Sequence, residues 1–326
     1  MGVPKVFIDG EAGTTGLQIH QRLANRQDLE IISIAHQKRK DADERAKLLN
    51  AADVAILCLP DAAAKEAVSL VSNARTKVLD ASSAHRTAEG WVYGFPELLE
   101  GQSKAIAAAQ RVSNPGCYPT GFLSLVAPVV SAGLMPADYP ITINAISGYS
   151  GGGKKLISQY EEFRARAQAE GIVESTAPFS PYGLMFGHKH VKEMHKYSGL
   201  EHAPLFAPAV GDFEKGMVVQ VPLALWSMQS PPTGQQLHNA LSQHFAKATF
   251  VKVLPLNDTG SLRDGTFYTA KDANGTNEVQ LCVFANDETQ EALLIARLDN
   301  LGKGASGAAV QNLNIMLGLP EETGLR

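Results

Sequence analysis

The octapeptide Ser113-Asn114-Pro115-Gly116-Cys117-Tyr118-Pro119-Thr120 concentrates more reactive potential than any other stretch of the chain. It sets a cysteine directly after a glycine and between two prolines. Gly116 lets the backbone turn without a Cβ clash, and the prolines stiffen the approach and the exit. Residues 121–127 then read as the first turns of a helix, which puts Cys117 just before a helix N-terminus. The partial positive charge there favours a thiolate, and the thiolate is the nucleophile. The competing reading is a small residue buried in a tight loop. Cys58 and Cys282 lie inside apolar runs, 54–59 and 279–284, and show what an unactivated cysteine looks like in this sequence.

A second reactive stretch is Gly187-His188-Lys189-His190-Val191-Lys192-Glu193. If a helix begins near His190, then His190 and Glu193 share one face. The carboxylate can orient the imidazole, which then serves as acid or base toward a cysteine-bound intermediate, with His188 beside it. The plainer alternative is a surface helix start with scattered polar residues. His188, His190 and His195 also invite a metal reading, but there is no H-E-x-x-H and no cysteine or carboxylate set at a ligand spacing. No metal is expected.

These groups need a frame, and the N-terminal region predicts one. Residues 6–9 read as a strand, followed by Gly10-Glu11-Ala12-Gly13-Thr14-Thr15-Gly16 and then apolar residues at helical spacing. Strand, glycine turn and helix make a pyrophosphate cradle, in which Gly10, Gly13, Thr14, Thr15 and Gly16 bring backbone close to the cofactor. The spacing is GxxGxxG, a variant of the usual fingerprint. After a second strand at 31–35, the place of the acidic residue that holds a ribose 2′-hydroxyl is taken by His36-Gln37-Lys38-Arg39-Lys40. A basic cluster attracts a 2′-phosphate, so NADP(H) is expected over NAD(H), with Arg39 first and Lys38 second as its partner. The other reading is a solvated charged loop.

A third strand at 53–59 ends in Pro60, where the nicotinamide half often passes, and Asp61 reads as the N-cap of the next helix. A fourth strand at 77–80 leads into Ala81-Ser82-Ser83-Ala84-His85-Arg86, an anion site or a hydrogen-bonded turn. Alternating strands and helices predict an α/β class: a Rossmann-like, doubly wound parallel sheet. Beyond the cysteine, a strand at 141–146 precedes Ser147-Gly148-Tyr149-Ser150-Gly151-Gly152-Gly153-Lys154-Lys155, read as a ligand loop before a helix at 156–170. Residues 205–298 alternate strands (217–225, 251–254, 265–269, 278–284 and 292–296) with turns and one helix at 234–245. This predicts an inserted α+β domain with a mostly antiparallel sheet, whose open face a second copy would cover. The chain closes on a small-residue helix running through Gly304 and Asn312, which is expected to return to the first domain. The expected division is 1–117 plus 300–326 for the NADP-binding domain and 118–299 for the catalytic and oligomerisation domain.

Composition fits this frame. The 326 residues, 44% hydrophobic and 19% charged, suffice for two domains. A net charge of -4 gives no reason to expect nucleic acid or membrane as a partner. Three cysteines and no signal-like apolar segment point to a reducing, cytoplasmic setting.

Taken in order, 10–16, 113–120, 147–153, 188–193 and 299–314 resemble the shorter type of N-acetyl-gamma-glutamyl-phosphate reductase, within the aspartate-semialdehyde dehydrogenase-like superfamily. The resemblance spans nearly the whole chain, and its cysteine motif and closing glycine-rich helix are its specific parts. It implies Cys117 as nucleophile, His190 or its neighbour His188 as acid/base, NADP(H) as cofactor, an acyl phosphate and inorganic phosphate as ligands, and a homodimer or homotetramer. Around the nicotinamide and substrate it implies roles for Ser82, Gly304 and Asn312, and for Arg86, Asn114, Ser147, Gly148 and Lys154. The chain departs from the longer members at Ala84-His85, where an acidic-aromatic pair commonly precedes the arginine. Two other readings stand beside it: an aspartate-semialdehyde dehydrogenase, and a non-catalytic NADP-sensing Rossmann protein. A zinc hydrolase comes third.

Overall fold

The computed structural model describes residues 2–171 and 177–325. The chain divides into two compact units, Met1–Gly116 with Ala305–Arg326, and Cys117–Gly304. Cys117 and residues 300–304 therefore lie in the second unit, not in the first as the sequence predicted. The reason is local: Cys117 is the first residue of a helix buried in the second unit. Asn300 belongs there too, since its side chain accepts from the Gly216 amide at 2.8 Å and donates to Ser150 at 3.0 Å.

The first unit is built on strands β1 (Lys5–Asp9), β2 (Glu30–Ile32), β3 (Val54–Leu57), β4 (Lys77–Asp80), β5 (Val92–Tyr93) and β6 (Arg111–Ser113). They form one parallel sheet in the order β2-β1-β3-β4-β6-β5. The order reverses direction at β1, which puts the switch point beside the glycine turn. Strand β3 is buried at every position, as a central parallel strand covered on both faces must be. The helices of this part of the chain are α1 (Thr14–Leu23), α2 (Ala42–Ala51), α3 (Asp61–Leu70) and α4 (Gln102–Ala108), of which α2 and α3 flank β3 in sequence. Asp41 caps α2 by accepting from the Asp43 and Glu44 amides. Asp61 is not a cap: Pro60 holds that position, and the Asp61 carboxylate instead accepts from the Ser83 hydroxyl and amide. The second strand is shorter than expected because His36–Lys38 turns into a 3-10 helix.

The second unit opens with helix α5 (Cys117–Ser131), buried on all sides from Tyr118 to Val129. The other elements are β7 (Thr142–Gly148), α6 (Gly153–Ala169), β8 (Phe179–Pro181), α7 (His190–Ser198), β9 (Leu205–Gly211), β10 (Met217–Ala224), α8 (Gly234–His244), β11 (Val251–Val253), β12 (Val279–Asn286) and β13 (Glu291–Leu298). Its sheet runs β11-β12-β13-β10-β7-β9-β8. It is mostly antiparallel, as expected, with parallel pairs only at β7/β9 and β11/β12 among the described residues. Residues 265–269 form no strand; a tight turn with positive φ at Asp264 and Gly265 leaves only the bridge between Arg263 and Phe267. Helix α5 packs on β10 and β13 on one side and on α7 and α8 on the other, so its burial follows from its central place. The chain ends in α9 (Gly307–Leu317), whose Ala309, Val310 and Leu313 join Val6, Ile19 and Ile56 in the core of the first unit.

Candidate active site

In the first unit, the glycine turn has the shape a pyrophosphate cradle requires. A Cβ on Gly10, at φ +90°, would stand 2.3 Å from the Cys58 carbonyl oxygen, and one on Gly16 would stand 2.4 Å from the Gly10 carbonyl oxygen. Both positions admit glycine alone. Gly13 is the N-cap of α1, with Thr14 and Thr15 opening the helix; its first turn has no acidic residue and no side-chain cap. The free amides and the dipole are left for an anion, so these residues fit a dinucleotide's phosphates. The basic cluster is less basic than it reads. Arg39 is paired with Glu11 at 3.0 Å, and Lys38 with Glu44 at 3.0 Å. Behind the turn, the buried pair Asp9–Arg45 at 2.9 Å ties the end of β1 to α2. Burial raises the Asp9 carboxyl even against the guanidinium.

The loop after β4 is a knot of internal bonds. Asp80 accepts from the Ser82 amide and hydroxyl and lies 2.6 Å from His85 Nδ1. His85 stacks on Trp91 with ring centroids 4.1 Å apart. Buried Arg86 donates to the carbonyls of Asn114 and Ala81. Its guanidinium thus braces the strand end that presents the cysteine motif, a use the sequence did not predict. Asn114 and Asn312 form one network: Asn312 Nδ2 donates to the Gly94 carbonyl and to Asn114 Oδ1, and Asn114 Nδ2 donates to the Ala305 carbonyl.

In the second unit, Cys117 is the first residue of α5 and is half-buried. The sequence placed it one step earlier. Pro119 can occupy the first turn because its missing N–H is one the helix leaves unused. Gly304 packs directly on the cysteine: a Cβ there would lie 2.9 Å from Cys117 Cβ and 3.1 Å from the Asp299 carbonyl oxygen. By contrast, burial pushes the Cys58 thiol up to about 12 and raises that of Cys282.

The histidines come to the cysteine's neighbour. Tyr118 lies 5.9 Å, ring to ring, from both His188 and His190, which are 4.7 Å from each other. The His190 amide donates to His188 Nδ1 at 3.2 Å. That bond leaves the neutral ring its proton on Nε2, which faces Tyr182 Oη at 3.4 Å. Tyr182 donates to Tyr118 Oη at 3.2 Å, and Tyr118 donates to the Ala209 carbonyl at 3.3 Å. A single directed chain therefore runs from His188 through two phenols to the backbone of β9. Burial, then the charge on Lys189, lowers His188 to about 4. Burial raises both phenols, Tyr182 to about 12, with Cys117 adding to the effect on each. His190 and Glu193 are buried in the first turn of α7, while His195 turns away to the Glu201 carbonyl.

Ser147 and Gly148 end β7, and residues 149–153 are helical where a loop was expected. Tyr149–Gly152 is a 3-10 turn that runs into α6. Gly148 is required by close approach, since a Cβ would stand 2.4 Å from the Glu214 carbonyl oxygen. Ser147 is buried with its hydroxyl on the Gly148 carbonyl, and Lys154 is exposed at the start of α6. Sequence reasoning missed Tyr118 and Tyr182. Tyr118 carried a signal, its position next to Cys117; Tyr182 carried none.

Among the described residues, no group of three or more His, Cys, Asp or Glu is arranged to hold a metal ion, and no helix is long and apolar enough to cross a membrane.

Two family models match the chain: the NAD binding domain of semialdehyde dehydrogenase over residues 5–107, and the semialdehyde dehydrogenase dimerisation domain over residues 117–300. Among curated proteins, the chain is 66% identical over 325 residues to an N-acetyl-gamma-glutamyl-phosphate reductase of Trichormus variabilis, covering 100% of both. It is 65% identical over 325 residues to N-acetyl-gamma-glutamyl-phosphate reductase 2 of a Nostoc species, again covering 100% of both. The Mesorhizobium japonicum protein of the same name is 55% identical over 320 residues, covering 97% of this chain and 99% of that one. Among solved structures, aspartate semialdehyde dehydrogenase II of Vibrio cholerae has the same fold, with a TM-score of 0.72 at 14% identity over 98% of this chain and 99% of that one.

Proposed function

Since the chain belongs to the N-acetyl-gamma-glutamyl-phosphate reductase family, we propose that it reduces N-acetyl-L-glutamyl 5-phosphate to N-acetyl-L-glutamate 5-semialdehyde, a step toward arginine, with NADPH as reductant. The observation that carries the reading is the half-buried Cys117 at the head of α5, with Tyr118 linking it to His188 and His190.

Cys117 Sγ attacks the acyl carbon; the C–S bond forms as the C–O bond to phosphate breaks, and phosphate leaves with the electron pair. A nicotinamide held by these residues would supply the hydride that the thioester carbonyl needs. The resulting thiohemiacetal collapses to the aldehyde, and His190 donates the proton that the departing sulfur takes up. His190 is assigned this role over His188 because His188 is held neutral as a donor to Tyr182. Glu193, in the same buried helical turn, orients His190. The glycine turn and Arg39 hold the cofactor, with Pro60, Ser82, Gly304 and Asn312 toward its nicotinamide end. Arg86, Asn114, Ser147, Gly148, Lys154 and His188 serve the substrate side, Arg86 and Asn114 by bracing the cysteine motif. The protein acts in the cytoplasm as a homodimer or homotetramer. In it, the outward face of the second sheet, with exposed Leu205 and Phe179, meets another copy.

Phosphate-dependent reduction of NADP+ by N-acetyl-glutamate semialdehyde tests the reading, with Cys117→Ser as control. Turnover by the wild type and a loss of about 10⁴-fold in the variant are expected. Turnover of aspartate semialdehyde alone would move the assignment to that dehydrogenase, and cofactor binding without either activity would make the protein a sensor.

A further inference from the structure

We propose that Glu11 sets the cofactor preference: its carboxylate holds Arg39 and thereby weakens the response of this site to a 2′-phosphate while providing an acceptor for a 2′-hydroxyl. The inference deepens the NADP(H) reading above and rests on it.

Glu11 lies inside the glycine turn, directly after Gly10. Gly10 has no room for a side chain or for an altered backbone, so the turn fixes where the Glu11 carboxylate starts from. Arg39 Nη2 donates to Glu11 Oε1 at 3.0 Å, across 28 residues of sequence. The side chains are 18% and 33% exposed, so the charges act through less water than at an open surface. Glu11 takes one donor of Arg39 Nη2 from a guanidinium that carries five N–H groups and is one-third exposed, so donor capacity remains for a second anion. Of the lysines on either side of Arg39, Lys38 is held by Glu44 and Lys40 is exposed.

The two cofactors meet this pair differently. A 2′-phosphate carries close to two negative charges, so it gains from Arg39 and is repelled by Glu11. A 2′-hydroxyl is a neutral donor, and a carboxylate is the acceptor that dinucleotide folds ordinarily offer it. One ion pair thus works in opposite senses on the two.

Calorimetric titration of the full-length protein with NADP+ and with NAD+ tests the proposal in wild type, Glu11→Gln and Arg39→Gln. Glu11→Gln should tighten NADP+ about tenfold and weaken NAD+ about threefold. Opposite movements cannot come from general damage to the turn. Weaker NADP+ binding in Glu11→Gln would overturn the proposal, because Glu11 would then only position Arg39; so would an equal change for both cofactors. Glu11→Ala, which also removes the charge, should repeat the pattern if Glu11→Gln folds poorly. Arg39→Gln should weaken NADP+ by about tenfold or more. Unchanged NADP+ affinity in that variant would defeat the assignment of Arg39 to the 2′-phosphate, whatever Glu11 does.

Discussion

Cys117 and Cys282 both have a tyrosine for a neighbour, and only one of them is placed to react. Cys282 sits in the middle of β12, fully buried, 3.2 Å from Tyr268 Oη, with the Arg297 guanidinium 4.3 Å above that ring. A cation and a phenol therefore stand close to this sulfur, yet burial dominates and raises the thiol. Its backbone is spent on the ladder with β13. Cys117 is half-buried and is the first residue of a helix rather than a position inside a strand. Polar company does not by itself favour reaction; the position on the secondary-structure element matters more, because it decides access.

The contrast can be tested hardest at Gly304. A methyl group there would stand 2.9 Å from Cys117 Cβ, with the Asp299 carbonyl 3.1 Å away blocking retreat. Gly304→Ala should cut kcat by about 100-fold through displacement of the sulfur. Full activity would mean that the head of α5 tolerates movement and that its placement matters less than argued. A middle-sized effect is expected at His188. Its folded value of about 4 lies below the usual one near 6.5, so protonation favours the unfolded chain. Its stabilising contribution is complete above pH 6.5 and is lost as the pH falls toward 4. Between pH 7 and pH 5 it should amount to about 1 kcal/mol, the ring's partial exposure screening the rest. Urea melts of wild type and His188→Gln check this, since the variant should lose that part of the slope. The smallest effect belongs to Cys282→Ala: activity within about twofold of wild type, and a stability loss of about 1 kcal/mol from the small cavity left behind. A large activity loss there would erase the contrast between the two thiols.

The two glycine-rich stretches show what was legible in the sequence. At 10–16, the flanking strand and helix make the turn unambiguous, and close approach to the Cys58 carbonyl at Gly10 and to the Gly10 carbonyl at Gly16 leaves no room for a side chain. At 147–153, the same abundance of glycine suggested a loop. The chain is helical because β7 hands its direction to a 3-10 turn, which tertiary bonds from Tyr149 and Ser150 to the carbonyls of Phe213 and Glu214 pin in place. No local pattern announces such partners. The α/β class and the cysteine motif were readable for the same reason as the first turn: each depends on neighbours in sequence. Arg39 was read as a free cation because Glu11 lies 28 positions earlier. Arg86 was read as a ligand-binding fork because its carbonyl partners, Ala81 and Asn114, belong to two different strand ends. Tyr182 was invisible, being adjacent to the histidines only through the fold.

The contact of Gly304 with Cys117 has a topological consequence. These two residues begin and end the second unit, so that unit is a segment of chain whose ends meet. To the host it resembles a long excursion with almost no gap to span, and lengthening such an excursion costs little closure entropy. The second unit is thus a cassette: it can be exchanged, shortened or elaborated by evolution without re-threading the host sheet, provided the seam stays shut. The two ends that meet are Cys117, the proposed nucleophile, and the glycine packed on it, so any exchange would have to keep that pair.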